Sequence, residues 1–427
     1  MPNTMPSPAV SQPVPSSGVS VTQTASPAGV FSTRVLSVDV LRGITIAFMI
    51  LVNDPGDWSH VYPQLDHAKW NGWTLTDLVF PSFLFLVGMS LIFSFQSRIA
   101  KSASGTLDQA TRLTLAKHLF RRAAIIFAIK MFLSAYPHFH LAHIRIYGVL
   151  TRIALCYLCA GLICLWTRKI LPLACITAAL LLGYWALMRF VPVPGFGVPT
   201  RDIPLLDPMG NLTAWLDRHI SDFTLRTINM GRLYQTTRDP EGLLSTLPAI
   251  ATTLLGSITA VFMRSPDYTP ATKRNTFALA GIGFIAAGEL WNRTFPINKN
   301  LWTSSYVLLA AGISLLGLAL FYWLIDIERI QDRSRIAKAA LWPWLVFGSN
   351  AIAAFVLSEL FVETMLWIKV HDAATGKTIT SWNWLYVHLF SHGNSTEVTS
   401  VAFALAFVIL CFLPNWLLWR KRLFLKI

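Results

Sequence analysis

The chain has 427 residues, 54% of them hydrophobic and 13% charged, with a mean hydropathy of +0.52 and a formal net charge of +14. Soluble domains carry roughly 25% charged residues, so this composition excludes a soluble globule and calls for apolar runs that cross a hydrocarbon core of about 30 Å. The basic residues sit in short links between apolar runs, which is positive-inside patterning and not a nucleic-acid surface, so no nucleic-acid partner is expected.

The opening "MPNTMPSPAVSQPVPSSGVSVTQTASPAG" is rich in Pro, Ser, Thr and Val and carries no charge. It has neither a basic leader nor an apolar core, so it reads as a disordered tail over residues 1–33 and not as a signal peptide. Residues 34–427 then read as one all-α domain, a polytopic transmembrane helix bundle of about ten spans. In chain order these are Val35–Asn53, Asp77–Phe95, Ala123–Tyr136, Ile146–Trp166, Ile170–Phe190, Leu244–Phe262, Phe277–Trp291, Leu301–Ile325, Leu341–Trp367 and Thr399–Trp419. The third and seventh are short.

Lysine and arginine fix the expected orientation. Arg98 to Arg122, Arg168–Lys169, Arg264 with Lys273–Arg274, Arg329 to Lys338 and the closing "WRKRLFLKI" fall at every second link. They share the cytoplasmic face if both termini are cytoplasmic. Five links then lie on the far face: Asp54–Thr76, Pro137–Arg145, Val191–Gly242, Asn292–Asn300 and Ile368–Val398. The cysteines Cys156, Cys159, Cys164, Cys175 and Cys411 all lie in apolar runs and read as buried thiols, not as a redox or metal site. No internal repeat, P-loop, dinucleotide fingerprint, zinc-protease motif or serine elbow is present, and no metal is expected.

Polar chemistry concentrates on the far face. "HAKWNGWTLTDLVFP", from His67 to Pro81, places a histidine, an asparagine, two tryptophans and an aspartate ahead of the second span. His67 suits a general base, since imidazole titrates near neutral pH, or a solvated interfacial residue. Asn53, ending the first span before Pro55–Gly56, either terminates a helix or supplies an amide to a histidine or an oxyanion. Asp77 either caps the second span or orients a histidine or a sugar. Trp70 and Trp73 suit interface anchors or a sugar-stacking surface. Asn71 could add a second amide. Lys299, between Asn298 and Asn300, could hold a polar or anionic substrate. Asp239 and Glu241 read as the start of a helix. Within the spans, Arg42, Arg152, Glu289, Glu359 and Glu363 are costly charges that need partners. Arg152 with Glu359 is one candidate pair.

These stretches in order, "SVDVLRG", "LVNDPGDW", "DHAKWNGWTLTDLVFPSFLFLVG", "RIYGVLTRIALCY", "DPEGLLST", "FPINKNLWTSSYVL", "FGSNAIAAFVLSELF" and "RKRLFLKI", resemble the heparan-α-glucosaminide N-acetyltransferase family. More closely they resemble its bacterial, NagX-type inner-membrane members. The resemblance runs from about Arg34 to Ile427 and implies a transmembrane acetyltransferase that moves acetyl from cytosolic acetyl-CoA to a glucosamine-type amine across a bacterial inner membrane. It implies His67 as the catalytic histidine and Asn53 as its companion. Where the animal enzymes carry a lumenal domain, only the tail precedes the spans. Thr151 replaces a glutamine of the family pattern, and Ser358–Glu359 replaces His-Glu.

The combined expectation has Asp77, Trp70, Asn71, Lys299 and Glu359 contacting the substrate. The acetyl-CoA nucleotide lies near Arg42, with Arg121, Arg122, Lys273 or Arg274 assisting, and Arg152 belongs to the same donor-side set. Membrane lipid surrounds the bundle, and a homodimer is compatible. The rival class is a transporter of N-acetylglucosamine or a related amino sugar, which intramembrane charges would also suit but which lacks a visible inverted repeat. A purely structural scaffold leaves the buried charges without purpose.

Overall fold

The computed structural model describes residues 35–100, 107–140, 142, 144–373 and 376–424. The expected tail over residues 1–33 lies outside them. The architecture is helical, as the composition requires. In chain order the helices are α1 (Leu36–Asn53), a short 3₁₀ turn (Thr76–Leu78), α2 (Val79–Ile99), α3 (Gln109–Ala135), α4 (Val149–Trp166), α5 (Ile170–Phe190), α6 (Leu212–Ile228), α7 (Thr246–Arg264), α8 (Pro270–Asn292) and α9 (Ser304–Phe321), which runs into a π-helical turn at Tyr322–Ile327. Then come α10 (Ile330–Arg333), α11 (Arg335–Ser349), α12 (Ala351–Trp367), the hairpin β1 (Lys369–Asp372) with β2 (Lys377–Thr380), α13 (Ser381–Tyr386) and α14 (Glu397–Arg420).

A helix stands at every one of the ten expected spans. Seven of the described helices are long and apolar enough to cross a membrane, or eight if α11 and α12 form one span bent by 80°. The bend falls at Ser349–Asn350, between α11 and α12. The two spans that looked short, α3 and α8, are not among the seven. They are long helices of 27 and 23 residues whose polar first halves dilute the apolar run. Two of the links expected on the far face hold structure that periodicity did not reveal, namely α6 and the β1–β2 hairpin. In the hairpin Lys369 pairs with Thr380 and Asp372 with Lys377, antiparallel.

Helix packing follows membrane rules, in which close backbone approach substitutes for a hydrophobic driving force. At the α2–α7 contact, a Cβ on Gly88 would overlap the Thr253 carbonyl and one on Gly256 would overlap the Phe85 carbonyl. Around that seam Phe85, Leu84, Met89 and Leu254 are fully buried. The start of α1 is held from a distance. Asp326, in the π turn, accepts from the backbone N–H groups of Leu36 (3.2 Å) and Ser37 (3.1 Å). A carboxylate there satisfies orphan amides and opposes the helix dipole. The result gathers the end of α1, the approach to α2, the end of α3, the start of α4, the segments before α7 and α9, and α12 around one cavity.

Candidate active site

The cavity has a volume of about 930 Å³ and is lined by Asn53, Asp54, His67, Lys130, Arg145, Glu241, Lys299, Glu359 and Glu363, among others. Ionisable side chains of both signs converge on it, and in a membrane protein such groups mark polar cavities where function resides.

His67 is set by Asp77. Its Nδ1 lies 2.7 Å from Asp77 Oδ1. The other carboxylate oxygen, Oδ2, accepts from the backbone N–H groups of Ala68 (3.0 Å) and Thr74 (3.0 Å) and from the Thr74 hydroxyl (3.1 Å). The Asp77 carbonyl also accepts from the Tyr306 hydroxyl. The Asp77 side chain is 1% exposed and that of His67 is 41% exposed. A buried carboxylate thus steers an accessible ring. An ionised carboxylate accepts only, so the assigned proton sits on Nδ1 and the neutral ring presents its Nε2 lone pair. Of the roles open to Asp77 in the sequence, the geometry shows it orienting the histidine and pinning the 68–74 loop.

Lys299 approaches from 232 residues away, with its Nζ 3.4 Å from His67 Nε2. A backbone seam puts it there. Gly72 N–H donates to the Ile297 carbonyl (2.8 Å), and the Asn298 amide donates to Asn71 Oδ1 (3.2 Å). Burial pushes the Lys299 ammonium below its ordinary range, while Glu241 and Asp77 work against that fall. Asn71 therefore fastens the two loops and is not on the cavity lining. Trp70 is also turned away. Its indole N–H donates to the Leu206 carbonyl (2.9 Å), and Arg238 stacks 4.2 Å over its ring.

Asn53 and Glu359 do line the cavity. Asn53 makes no side-chain hydrogen bond among the described residues. Burial, and secondarily Glu359, push the Asp54 carboxyl beside it well above the usual carboxylate range.

The opposite wall holds a cluster that local sequence reading took for a helix start. Arg145 Nε donates to Asp239 Oδ2 (2.7 Å) and its Nη2 to Asp239 Oδ1 (2.5 Å), and Nη2 also pairs with Glu241. Tyr234 lies 4.8 Å beneath the guanidinium. Burial opposes ionisation of Glu241, yet Arg145, followed by Lys299 and Arg152, holds its carboxyl below the usual range. Lys130 reaches the Arg145 carbonyl (3.1 Å) and the Ser134 hydroxyl. Asp54, Lys130, Arg145, Glu241 and Glu363 are among the lining groups that the sequence did not assign to the site.

The cations expected to hold the acetyl donor, Arg42, Arg121, Arg122, Arg152, Lys273 and Arg274, are not on the lining of this cavity. Arg42 is engaged inside the bundle by Asp39 (3.1 Å), the Gly348 carbonyl (3.1 Å) and the Ser90 hydroxyl (2.7 Å). Arg152 does not pair with Glu359. It donates to the Gly242 carbonyl (3.0 Å) and the Ser245 hydroxyl (2.5 Å) and stacks 5.0 Å over Trp302. Only its Nη2 is bonded, and Nε and Nη1 are buried without a hydrogen-bond partner among the described residues, while Glu359 lines the cavity. Arg121 is exposed on α3, and Arg122 stacks 4.8 Å over Tyr157. Lys273 and Arg274 occupy the first turn of α8, with Arg274 on Asn275 (2.8 Å). Among the described residues, no group of three His, Cys, Asp or Glu is placed to hold a metal.

Residues 34–219 match the family model described as heparan-alpha-glucosaminide N-acetyltransferase, catalytic. The span includes Asn53, His67 and Asp77. The chain is 27% identical to the human heparan-alpha-glucosaminide N-acetyltransferase and 26% identical to the mouse protein of the same name, in each case over 92% of this chain and 60% of the relative. It thus spans about 60% of the length of these curated relatives. The match to the catalytic model and the two long similarities point the same way as the motifs, to similarity with heparan-alpha-glucosaminide N-acetyltransferase.

Proposed function

We propose that this protein is a membrane-bound acetyltransferase that moves acetyl from cytosolic acetyl-CoA to the amine of a glucosamine-type sugar on the far side of the membrane. One observation carries the reading. A buried carboxylate orients an accessible histidine whose Nε2 faces a cavity, 3.4 Å from the ammonium of Lys299.

The chemistry follows from that arrangement. The reacting amine attacks the thioester carbonyl in its neutral form, keeping one of its two protons in the amide and giving up the other. His67 Nε2 takes that proton, and Asp77 steadies the imidazolium that forms. Such base catalysis contributes about 10²–10⁴-fold. Negative charge builds on the carbonyl oxygen, and the Asn53 amide and the Lys299 ammonium, both on the cavity lining, are the donors assigned to it. One such donor is worth about 10²–10³-fold. Collapse expels the CoA thiolate, which accepts a proton from His67. The half-buried acids Asp54 and Glu359 give the cavity groups that suit the amine and hydroxyls of an amino sugar. Carrier chemistry at the same atom is the variant in which Nε2 attacks the thioester, expels CoA thiolate and passes the acetyl group to the amine.

Acetyl-CoA enters this reading as co-substrate, and the bacterial inner membrane is the setting it assumes. The comparisons give amino-sugar transport no support. The test is transfer of labelled acetyl from acetyl-CoA to glucosamine by purified protein. Incubation without sugar then separates the two routes. Stoichiometric label on a His67 peptide identifies the carrier route, and its absence from an active enzyme identifies direct transfer.

A further inference from the structure

A second hollow, of about 430 Å³, adjoins the catalytic cavity and shares Glu241 with it. Its walls are Phe120, Ala124 and Phe127 of α3, Leu155 and Leu158 of α4, and Thr224 of α6. From Thr151 to Leu158 along α4, and from Phe127 to Phe120 along α3, it extends about 10 Å down the helices at 1.5 Å per residue. Phe120 and Phe127 are exposed, so one flank opens sideways from the bundle toward lipid.

Two features give this groove a direction. Its lining is almost entirely hydrocarbon, so an occupant with amides along its length would lose their hydration without replacement. An acyl or alkyl chain loses nothing. At the cavity end the lining changes. The Tyr147 hydroxyl is buried there, on a residue only 7% exposed, and has no hydrogen-bond partner among the described residues. Buried hydroxyls are nearly always paired. An orphan donor between an apolar groove and a polar cavity suits the oxygen that links a lipid chain to its headgroup.

We infer that the groove holds the hydrocarbon chain of the acceptor, so that the sugar acetylated in the cavity is one carried on a lipid. This rests on the acetyltransferase reading, and it adds the acceptor's class. The head would occupy the cavity by His67, the linking oxygen would accept from Tyr147, and the tail would lie between α3 and α4.

The test compares octyl and methyl glucosaminide as acceptors. The parent is expected to favour the octyl acceptor in kcat/KM by about tenfold, equivalent to about 1.4 kcal/mol. Ala124→Trp fills the groove from an exposed position and is expected to bring the ratio near one. Micelle partitioning would raise the ratio equally in both proteins, so a ratio unchanged by Ala124→Trp overturns the inference. So does a parent ratio near one. A second readout needs no turnover. An octyl glucosaminide with a photoreactive tail should label α3 and α4 between Phe120 and Leu158, with competition by octyl glucosaminide but not by phospholipid. Equal competition by phospholipid means an ordinary lipid contact and overturns the inference, as does absence of labelling. Specific labelling without transfer to either acceptor keeps the site and sinks the acetyltransferase reading instead.

Discussion

Replacing Asp77 by Asn tests the steering of His67 while leaving the fold almost untouched. Oδ2 of Asp77 receives three donors, the N–H groups of Ala68 and Thr74 and the Thr74 hydroxyl. In the variant those donors must still meet an oxygen, so the amide oxygen takes that side and the NH₂ group faces His67. The NH₂ group then donates to Nδ1, over the 2.7 Å that now separates Nδ1 from Oδ1. The ring proton is driven to Nε2, and the atom facing the cavity loses its lone pair. In the worked case of a serine protease, the same carboxylate-to-amide change costs about 10⁴ in kcat. The cost here is expected at about 10³–10⁴, because the geometry is the same and a wrong tautomer cannot serve as base or nucleophile. Stability should fall by no more than about 1.5–3 kcal/mol, the worth of one charge-assisted hydrogen bond. The assay is acetyl transfer at saturating acetyl-CoA, read beside thermal unfolding in detergent. A folded Asp77→Asn protein retaining a tenth or more of parental kcat would refute the tautomer argument.

Three further outcomes follow from the same structure. Arg145→Met leaves Asp239 and Glu241 buried without their counter-charge and should cost about 3–5 kcal/mol, seen as a lowered unfolding temperature and a poor yield of monodisperse protein. Gly256→Val places side-chain atoms against the Phe85 carbonyl and should destabilise the α2–α7 seam by about 1–3 kcal/mol; unchanged thermal stability would mean that the seam yields easily. Burial lifts the Asp217 carboxyl to about 7, so the folded protein holds that proton more tightly than the unfolded chain, whose value is near 3.9. That contribution to stability is complete below about pH 4 and is lost as pH rises to about 7. Asp217→Asn keeps the acceptor for the Leu243 N–H and removes the dependence, so its advantage in unfolding temperature should be larger at pH 8 than at pH 5; an equal gap at both contradicts the assignment.

Much of the bundle was legible because apolar runs of membrane length leave few alternatives. Ile170–Phe190 is a helix with the very ends the sequence suggested. The polar first half of α3 hid its length, since Arg112, Lys117, Arg121 and Arg122 interrupt the hydropathy without breaking the helix. At the site, His67 and Asp77 lie ten residues apart and could be paired by eye. Lys299 stood out locally, but nothing local tells that Gly72 and Asn298 meet across the seam that delivers it. Arg145 and Asp239 are 94 residues apart, and their pairing depends on how α7 packs against α4. The expected pairing of Arg152 with Glu359 is not formed, because Arg152 is drawn instead to the Gly242 carbonyl, the Ser245 hydroxyl and the Trp302 face, contacts between distant segments that local sequence does not reveal.

The measurement closest to the central claim is acetyl transfer from labelled acetyl-CoA to glucosamine by parent and His67→Ala proteins, with CoA binding followed in parallel. Loss of transfer with CoA binding retained is the predicted result. Equal transfer by both proteins would remove His67 from the chemistry, and the account of the cavity with it.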